Sequence, residues 1–349
     1  MTNHLPGEGC NTAWFDRLSD FEQKVIRQQI EFKRGKWPNL PDGKWSKNSS
    51  CTYPHILPSI ALYDGFSSFE EAQRQAFHED IAGNVLAYCK DNNIALHTDI
   101  LNLKSSQSVC FNLMFPLRQD YVLASRVLSP LLPDLREVTK IEFEYTFTEV
   151  TEWLGEGVAT PGKNCTSIDA VVWWDNIAGQ KKISLLEWKY TEKGFGGCSS
   201  ANKKENVTKD FCKQNWSACG VGESCYVAKP RNRRYWDHLQ SAGINVDSLC
   251  KIIKKGCPFR GQYYQVMRQF LFAEYLRKET AGHDVEILLI SFKGNDSFKD
   301  EKVITPWNTA IKGKPPLRHV YADDLNKAIQ DCSIADKKWQ EYLTQRYFP

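Results

Sequence analysis

The spacing of apolar residues predicts several helices in the N-terminal part of the chain. The segments DFEQKVIRQQIEFKRG (residues 20–35) and SSFEEAQRQAFHEDIAGNVLAYCKDN (67–92) repeat apolar residues every three to four positions, as amphipathic helices do. The second segment begins with serine, a suitable helix cap, and has acidic residues in its first turn. Residues 96–117 have a mixed pattern, and YVLASRVLSPLL (121–132) is typical of a helix that Pro130 disturbs.

Three β-rich segments follow, separated by residues that favour turns. The runs TKIEFEYTF, SIDAVVWWD and KKISLLEWKY lie between residues 139 and 190 and are rich in β-branched and aromatic side chains. The short turn between the last two contains Asn176 and Gly179, and the succession of strands favours an antiparallel meander. A strongly helical segment, residues 261–279, and the buried strand DVEILLISF come next. This order of helix, three strands, helix and strand predicts an α/β protein with a mixed sheet.

The same pattern divides the chain into a core with an addition at each end. We predict an N-terminal helix and arm over residues 1–65, a core over 66–300 and a C-terminal extension over 301–349, in which a basic loop from Lys312 leads to one or two helices. A segment with glycine and cysteine interrupts the core at about 193–257. No apolar stretch is long enough to cross a bilayer, and the N-terminus lacks the features of a secretory signal, so we expect a cytoplasmic protein without membrane contact.

Positive charge is concentrated in that interruption. The formal net charge of the 349-residue chain is +3, but residues 203–260 hold twelve Lys and Arg against five Asp and Glu, which gives this segment +7 and the remainder −4. Such a segment suits a phosphate-backbone partner, because binding releases the counterions of the polyanion. A solvated loop with surplus lysine is the alternative that the charge leaves open.

Charged residues interrupt two of the apolar strands. Asp169 stands at the start of one strand, and Glu187 and Lys189 lie two residues apart on one face of the next. If the two strands pair through their short turn, the carboxylates become neighbours near one end of the sheet. They would suit Mg²⁺ or Mn²⁺, which lowers the pKa of bound water, and the lysine could orient that water or neutralise charge during phosphodiester hydrolysis. A cross-strand salt bridge is the alternative.

In this context the sequence resembles the PD-(D/E)xK nuclease superfamily, which has the restriction-endonuclease-like fold. The matching residues are Asp169 in TSIDAVVWWD and Glu187-Trp188-Lys189 in LLEWKYTE. The resemblance implies that Asp169 and Glu187 are metal ligands, that the main-chain carbonyl of Trp188 is a candidate third ligand, and that Lys189 is the catalytic lysine. One position departs from the family pattern, because Ile168 replaces the usual proline before the aspartate.

The resemblance covers about residues 66–295 and extends to the helix after the interruption. Members of the superfamily place a Gln, Lys or Arg of this helix against the metal site, so we predict that Gln265 and Arg268 contact the scissile phosphate or the nucleophilic water. A polar solvent face is the alternative. The segments IEFEYTF, SSQSVCFNL, LLEWKYTE and YYQVMR are also similar to a bacterial group of restriction-endonuclease-like proteins, which makes Glu144 and Glu192 candidates for additional acidic site residues.

Half of the cysteines of the chain fall in the interruption. They are Cys198, Cys212, Cys219, Cys225, Cys250 and Cys257. In a reducing compartment most thiols stay reduced, and a crowd of them indicates metal binding or burial. Their spacing differs from the Cys-x2-Cys pairs of most zinc sites. A structural zinc ion, which His238 could join, an iron–sulfur cluster of the kind that some members of the resembled superfamily carry, and unliganded loop thiols therefore all stay open.

The run KPRNRRYWDH, between these cysteines, interleaves arginines with aromatic residues. Arg231, Arg233 and Arg234 could bind phosphates while Tyr235 and Trp236 stack on bases. A basic loop anchored by two buried rings is the alternative.

These features give a leading hypothesis and two alternatives. The leading hypothesis is a Mg²⁺-dependent DNA endonuclease in restriction or another form of defence, acting as a homodimer or with a partner protein. The first alternative is a nucleic-acid-binding module that keeps the nuclease fold without catalysis, and the second is a partner-binding protein whose interaction surface is the interruption. Convergence of Asp169, Glu187 and Lys189 on one cleft is what the leading hypothesis requires.

Overall fold

A five-stranded mixed sheet forms the centre of the protein. The computed structural model describes residues 12–157, 160–161, 165–213, 225–254 and 256–348. Its strands are β1 Gly43–Trp45, β2 Asn48–Tyr53, β3 Leu135–Tyr145, β4 Ile168–Asn176, β5 Lys181–Trp188, β6 Asp284–Ser291 and β7 Leu317–Tyr321. Strands β3 to β7 form the sheet in chain order, and β1 pairs with β2 in a separate antiparallel hairpin.

Helices connect and cover these strands. The α-helices of the described residues are α1 Asp20–Lys36, α2 Phe69–Arg74, α3 Glu79–Asp91, α4 Ser106–Gln119, α5 Tyr121–Leu128, α6 Thr148–Trp153, α7 Tyr235–His238, α8 Val246–Ile253, α9 Tyr263–Glu279, α10 Ile304–Thr309, α11 Ala322–Asp331 and α12 Lys337–Tyr347. Short 3₁₀ helices cover Thr12–Arg17, Ser199–Asn202, Phe211–Lys213, Pro258–Arg260 and Asp296–Phe298. None of the described helices is both long and apolar enough to span a bilayer.

The helices cover both faces of the sheet, which explains why its strands are so apolar. Ala170, Val172 and Trp174 of β4 pack into one core with side chains of α3, α4, α5 and α12. Val171 lies on the opposite face of the same strand and packs into a second core with α6, α8 and α9. A strand buried on both faces keeps apolar residues at successive positions instead of alternating them with polar ones. A charged residue in such a strand therefore needs a specific partner.

The predicted order of elements is confirmed. The pairs β3–β4 and β4–β5 are antiparallel, as a meander requires, and β6 lies parallel to β5. One prediction was wrong, because the segment after Lys312 contains β7, which extends the sheet parallel to β6, before its two closing helices. This strand has only five residues. Arg318 and His319 interrupt its apolar pattern, so the sequence resembled a basic loop.

The helix predicted over residues 67–92 is in fact two helices, α2 and α3. The side chain of Asn112, on α4, lies against the break: its Oδ1 accepts a hydrogen bond from the main chain of His78 at 2.7 Å, and its Nδ2 donates to the carbonyl of Ala76 at 3.0 Å. Arg346 also donates to that carbonyl, at 2.8 Å. These tertiary bonds replace helical ones. Helix α4 had a mixed pattern because ten of its 14 residues are buried, so apolar side chains are not confined to one stripe.

Candidate active site

Three carboxylates lie in a row across three neighbouring strands. Ala170 of β4 lies opposite Leu186 of β5, and continuing this antiparallel register by one residue places Asp169 opposite Glu187. On the other side of β4, the paired positions on either side of Glu144 place it opposite Asp169. Residues opposite each other in a ladder share one face of the sheet, so the register brings the three carboxylates together.

Asp169 is the central member of this row. Its Oδ2 accepts a hydrogen bond from the main-chain N–H of Trp188 at 2.7 Å, which ties the side chain to the end of β5. Burial raises the pKa of the Asp169 carboxyl well above its usual range, and the nearby carboxylates of Glu187 and Glu144 raise it further. Lys189 and the Trp188 N–H oppose this rise without cancelling it. The metal-free site therefore has a surplus of negative charge.

Glu187 is almost completely buried, and three hydrogen-bonding contacts surround its carboxylate. Its side chain is only 2% exposed. Lys189 Nζ and Gln265 Nε2 each lie 2.5 Å from Oε1, and Gln269 Nε2 donates to Oε2. These partners replace the hydrogen bonds to water that a carboxylate loses when it is buried. The amides of α9 hold Glu187 on the side of the sheet that faces this helix.

Lys189 is the cation of the site. Burial by itself lowers the pKa of this amine, but the carboxylates of Glu187, Glu192 and Asp169 outweigh burial and raise the pKa. The side chain is therefore protonated at neutral pH. Gln265 fixes its position, since Gln265 Oε1 accepts from Lys189 Nζ at 3.1 Å and from the main-chain N–H of Gly196 at 2.8 Å.

Glu144 forms a neighbouring buried site at the end of β3. Its φ angle is +46°, in the left-handed region that residues other than glycine rarely adopt. Its carboxylate accepts hydrogen bonds from Gln107 Nε2 at 2.6 Å and from Ser167 Oγ at 3.0 Å. Burial raises the pKa of Glu144, and His97, the next largest influence, opposes the rise. The strained backbone and the hydrogen bonds hold this carboxylate beside Asp169.

The donor set fits a Mg²⁺ or Mn²⁺ ion. Mg²⁺ is usually held by one or two carboxylates, and water or phosphate oxygens complete its octahedron. Asp169 and Glu187 supply that number of carboxylates, and no larger ready-made group of His, Cys, Asp or Glu ligands exists among the described residues. Binding at Glu187 requires an exchange of partners, because its Oε1 is now shared by Lys189 and Gln265. The salt bridge and the metal site thus use the same atoms.

Three residues complete the site although the sequence pattern did not predict them. Gln269 follows Gln265 by one helical turn and shares its polar stripe, so helical spacing was the available signal. Gln107 comes from α4, which is distant in sequence and gave no polar pattern that pointed to β3. Gly196 acts through its main chain alone, and the sequence carries no signal for such a contact.

The predicted nucleic-acid contacts lie outside the row of carboxylates. Arg268 Nε donates to Thr166 Oγ1 at 2.9 Å and lies 3.4 Å from the buried Glu156 Oε1, so this side chain belongs to a neighbouring buried network. Arg233 Nη1 donates to the carbonyl of Gly155 at 2.6 Å.

The remaining residues of the basic run divide between surface and core. Arg231 and Arg234 are exposed, and Arg234 lies 3.7 Å from Asp237. Tyr235 is buried, and Trp236 packs against Phe259. A role in nucleic-acid binding stays a prediction for Arg231, Arg233, Arg234 and Arg268.

The cysteines and Glu192 have separate environments. Cys198, Cys212, Cys225 and Cys257 surround one small cavity, whereas Cys250 lies on α8 and does not line it. Cys219 lies outside the described residues. His238 is not at the cavity, because its ring stacks on Trp153 with centroids 3.6 Å apart. Glu192 Oε2 accepts from the main-chain N–H of Tyr190 at 2.7 Å, and Glu192 lines a cleft near the candidate site.

The fold and these residues define a class of protein. An antiparallel meander followed by a helix and a parallel strand, with an aspartate and a Glu-x-Lys on adjacent strands, is a restriction-endonuclease-like α/β core. The chain belongs to the family described as Restriction Endonuclease associating with ARP, whose model matches residues 39–348. Comparisons with curated proteins and with solved structures gave no significant match.

Replacing Asp169 by asparagine is expected to stabilise the metal-free protein near neutral pH. A folded-state pKa raised above its unfolded value of about 3.9 gives stability at low pH that is lost as the pH rises through the folded-state pKa. Asparagine does not titrate, and its amide can still accept from Trp188 N–H. With EDTA present, we expect a melting temperature roughly 2 °C or more above that of the native chain at pH 7.5. The difference should shrink towards pH 4.

Differential scanning fluorimetry measures this effect, and Asp175→Asn on the same strand is the matched control. Asp175 lies at the far end of β4 in an exposed pair with Arg136, whose atoms are 3.1 Å apart, so its loss should change the melting temperature little. Mg²⁺ should raise the melting temperature of the native chain but not that of Asp169→Asn. A destabilised Asp169→Asn at neutral pH would show that the negative charge is already balanced.

Proposed function

We propose that this protein is a Mg²⁺-dependent endonuclease that hydrolyses phosphodiester bonds in DNA. One observation carries the proposal: two carboxylates from adjacent strands face each other beside a buried lysine, at the end of a restriction-endonuclease-like sheet. Asp169 and Glu187 would hold the ion, which supplies Lewis acidity and an activated water when bound. The protonated Lys189 would stabilise the negative charge that develops on the phosphate, and Gln265 would hold the lysine in place.

A large cleft lies near the candidate site, although Asp169, Glu187 and Lys189 do not line it. Its volume is about 980 Å³, and its lining includes His97, Ser105, Ser106, Glu192 and Lys193. Glu192, which lines the cleft, also raises the pKa of Lys189. Hydroxyl, imidazole and amine groups in this cleft suit contacts with a phosphate backbone.

Three further features bear on the substrate and its setting. The +7 charge of residues 203–260 favours a polyanion, and the exposed Arg231 and Arg234 are the side chains best placed to contact it. The family description names a restriction endonuclease, and we propose a role in restriction or a related defence, in the cytoplasm. The description also names an association with ARP, so we propose that the nuclease acts with a partner protein.

A nuclease assay tests this function directly. The native chain is incubated with plasmid, linear duplex, single-stranded DNA and RNA in the presence of Mg²⁺, Mn²⁺ or EDTA. We expect cleavage of DNA with Mg²⁺ or Mn²⁺, none with EDTA, and a loss of at least about 1000-fold in Asp169→Ala. Asp175→Ala is the matched control because it removes a carboxylate from the other end of the same strand.

The hydrogen bonds and the ion pair of Glu187 favour a second function. Both carboxylate oxygens already have protein partners, and this is the arrangement expected of a nuclease fold that binds nucleic acid without cleaving it. Salt-sensitive DNA binding together with no cleavage at any metal concentration, alone and with the partner protein, would favour this alternative. Absence of both binding and divalent-ion dependence would leave a partner-binding protein.

A further inference from the structure

Four cysteine thiols line a small cavity that contains none of the candidate catalytic residues. Cys198, Cys212, Cys225 and Cys257 all line it, although they come from separate segments of the chain. The cavity has a volume of about 20 Å³, and a volume of this size accommodates about one water molecule or one ion. Its lining contains no Asp, Glu or His.

Two glycines allow the cysteine segments to approach one another closely. A Cβ at Gly256 would lie 2.5 Å from the carbonyl oxygen of Cys212, and Gly256 has a φ of +77° that favours glycine. A Cβ at Gly197 would lie 2.8 Å from the carbonyl oxygen of Arg260. Each of these glycines directly precedes a cysteine of the cavity. The main-chain N–H of Cys257 donates to the Cys212 carbonyl at 3.0 Å, which closes the approach.

The surroundings of the sulfurs suit thiolate ligands. Main-chain N–H groups of Ser200 and Ala201 are directed at Cys198, and that of Phe259 is directed at Cys257. Such N–H···S bonds stabilise thiolates that bind a metal. Without a metal, burial raises the pKa of both thiols, and the proximity of the other cysteines raises it further, so they are protonated. A bound cation would displace these protons.

We propose that Cys198, Cys212, Cys225 and Cys257 bind one structural Zn²⁺ ion. Four sulfur ligands without a carboxylate or imidazole favour a soft or borderline metal over Mg²⁺, and tetrahedral Cys₄ coordination is common for structural zinc. The single-ion cavity favours zinc over a multi-iron cluster. In the part of the chain that the structure describes, no three sulfurs lie close enough together to hold a metal ion. Zinc binding is therefore coupled to movement of the four cysteine side chains towards the ion.

The proposed zinc site would also support the candidate active site. Cys198 N–H donates to the carbonyl of Arg260 at 3.3 Å, so a zinc ion that links Cys198 to Cys257 would strengthen the attachment of this segment to the chain before α9. Gly196, two residues from Cys198, exchanges main-chain and side-chain bonds with Gln265. Loss of zinc should loosen the residue that positions Lys189. This consequence rests on the proposed nuclease function, whereas zinc binding itself does not.

Metal content and thiol protection test the site without reference to nuclease activity. The full-length chain, free of affinity tags, is purified after expression with added zinc and iron, and its metals and acid-labile sulfide are measured. We expect about one zinc per chain and no labile sulfide. Cys198→Ser and Cys257→Ser should retain less than about 0.2 zinc per chain after dialysis against a chelator. Cys250→Ser should keep the native stoichiometry because Cys250 does not line the cavity.

Alkylation of the native chain keeps the test valid if a serine variant fails to fold. Before chelation, mass spectrometry should find Cys198, Cys212, Cys225 and Cys257 protected and Cys250 modified. After removal of zinc, all five should react. Stoichiometric iron with labile sulfide, a disulfide among the four cysteines, or the absence of zinc after refolding with zinc would overturn the proposal. Nuclease activity that persists without zinc would refute only the link to Gln265.

Discussion

Glu187→Gln is expected to abolish DNA cleavage while DNA binding survives. A neutral amide is a poor ligand for a divalent ion, so we expect the cleavage rate to fall by roughly 1000-fold or more. Removal of a negative charge that faces a polyanion should leave the affinity for DNA unchanged or improve it. Plasmid cleavage measures the rate, and fluorescence anisotropy with a labelled duplex measures the affinity. Loss of cleavage with retained binding would assign Glu187 to the chemistry.

The fold of this variant needs its own control. Glu187 and Lys189 form a buried ion pair with atoms 2.5 Å apart, and removing one member of such a pair typically costs about 3–5 kcal/mol of stability. The double variant Glu187→Gln/Lys189→Met removes both charges and should recover much of the lost melting temperature. It should remain inactive. Cleavage at the native rate by a folded Glu187→Gln variant would show that Glu187 and Lys189 form only a salt bridge and do not take part in catalysis.

The central strands and the catalytic constellation were predictable because they depend on local patterns. Side-chain alternation within a strand put Glu187 and Lys189 on one face, and the short turn between β4 and β5 set the pairing that brings Asp169 opposite Glu187. The direction of Gln265 followed from helical periodicity once the apolar stripe of α9 was assigned to the sheet. These inferences need only the side-chain period of a strand, the side-chain period of a helix and the length of the turn between β4 and β5.

Contacts between segments that are distant in sequence could not be predicted in this way. Gln107, on α4, donates a hydrogen bond to Glu144, which lies 37 residues later in the sequence. Asn112, also on α4, binds the main chain at the break between α2 and α3, which is 34 residues earlier. Arg268 shares the polar stripe of Gln265, but the buried Glu156 supplies a partner that the stripe itself does not reveal. Tertiary hydrogen bonds of buried polar groups therefore decide what periodicity leaves open.

The convergence of the cysteines illustrates the same limit. The spacing of the cysteines along the chain differs from that of the common zinc knuckles, which place two ligands in one tight turn. Here each cysteine of the cavity comes from a different segment, and longer stretches of sequence separate these segments. The glycines before Cys198 and Cys257 were a usable signal, since a glycine that precedes a buried cysteine allows close approach of another main chain.

Lys189→Ala is expected to separate catalysis from metal binding. The carboxylates of Asp169 and Glu187 remain in this variant, so the ion should still bind and balance the charge that Lys189 now balances. The lysine serves the transition state, and its loss should lower the single-turnover rate by about 100-fold or more, with a smaller loss of DNA affinity. The concentration of Mg²⁺ that half-maximally raises the melting temperature reports metal binding, and it should stay near the native value or fall.

Lys182→Ala is the matched control, because Lys182 lies near the start of β5, the strand that Lys189 directly follows, and forms a pair near the surface with Asp284 at 3.2 Å. Its removal should leave the cleavage rate within about twofold of native. Lys189→Arg keeps the charge but replaces a compact ammonium with a planar guanidinium, so it should recover only part of the activity. A merely structural lysine would give a different result, in which stability falls and the single-turnover rate of the folded fraction stays native. That outcome would remove Lys189 from the mechanism and leave the transition-state charge to the metal ion.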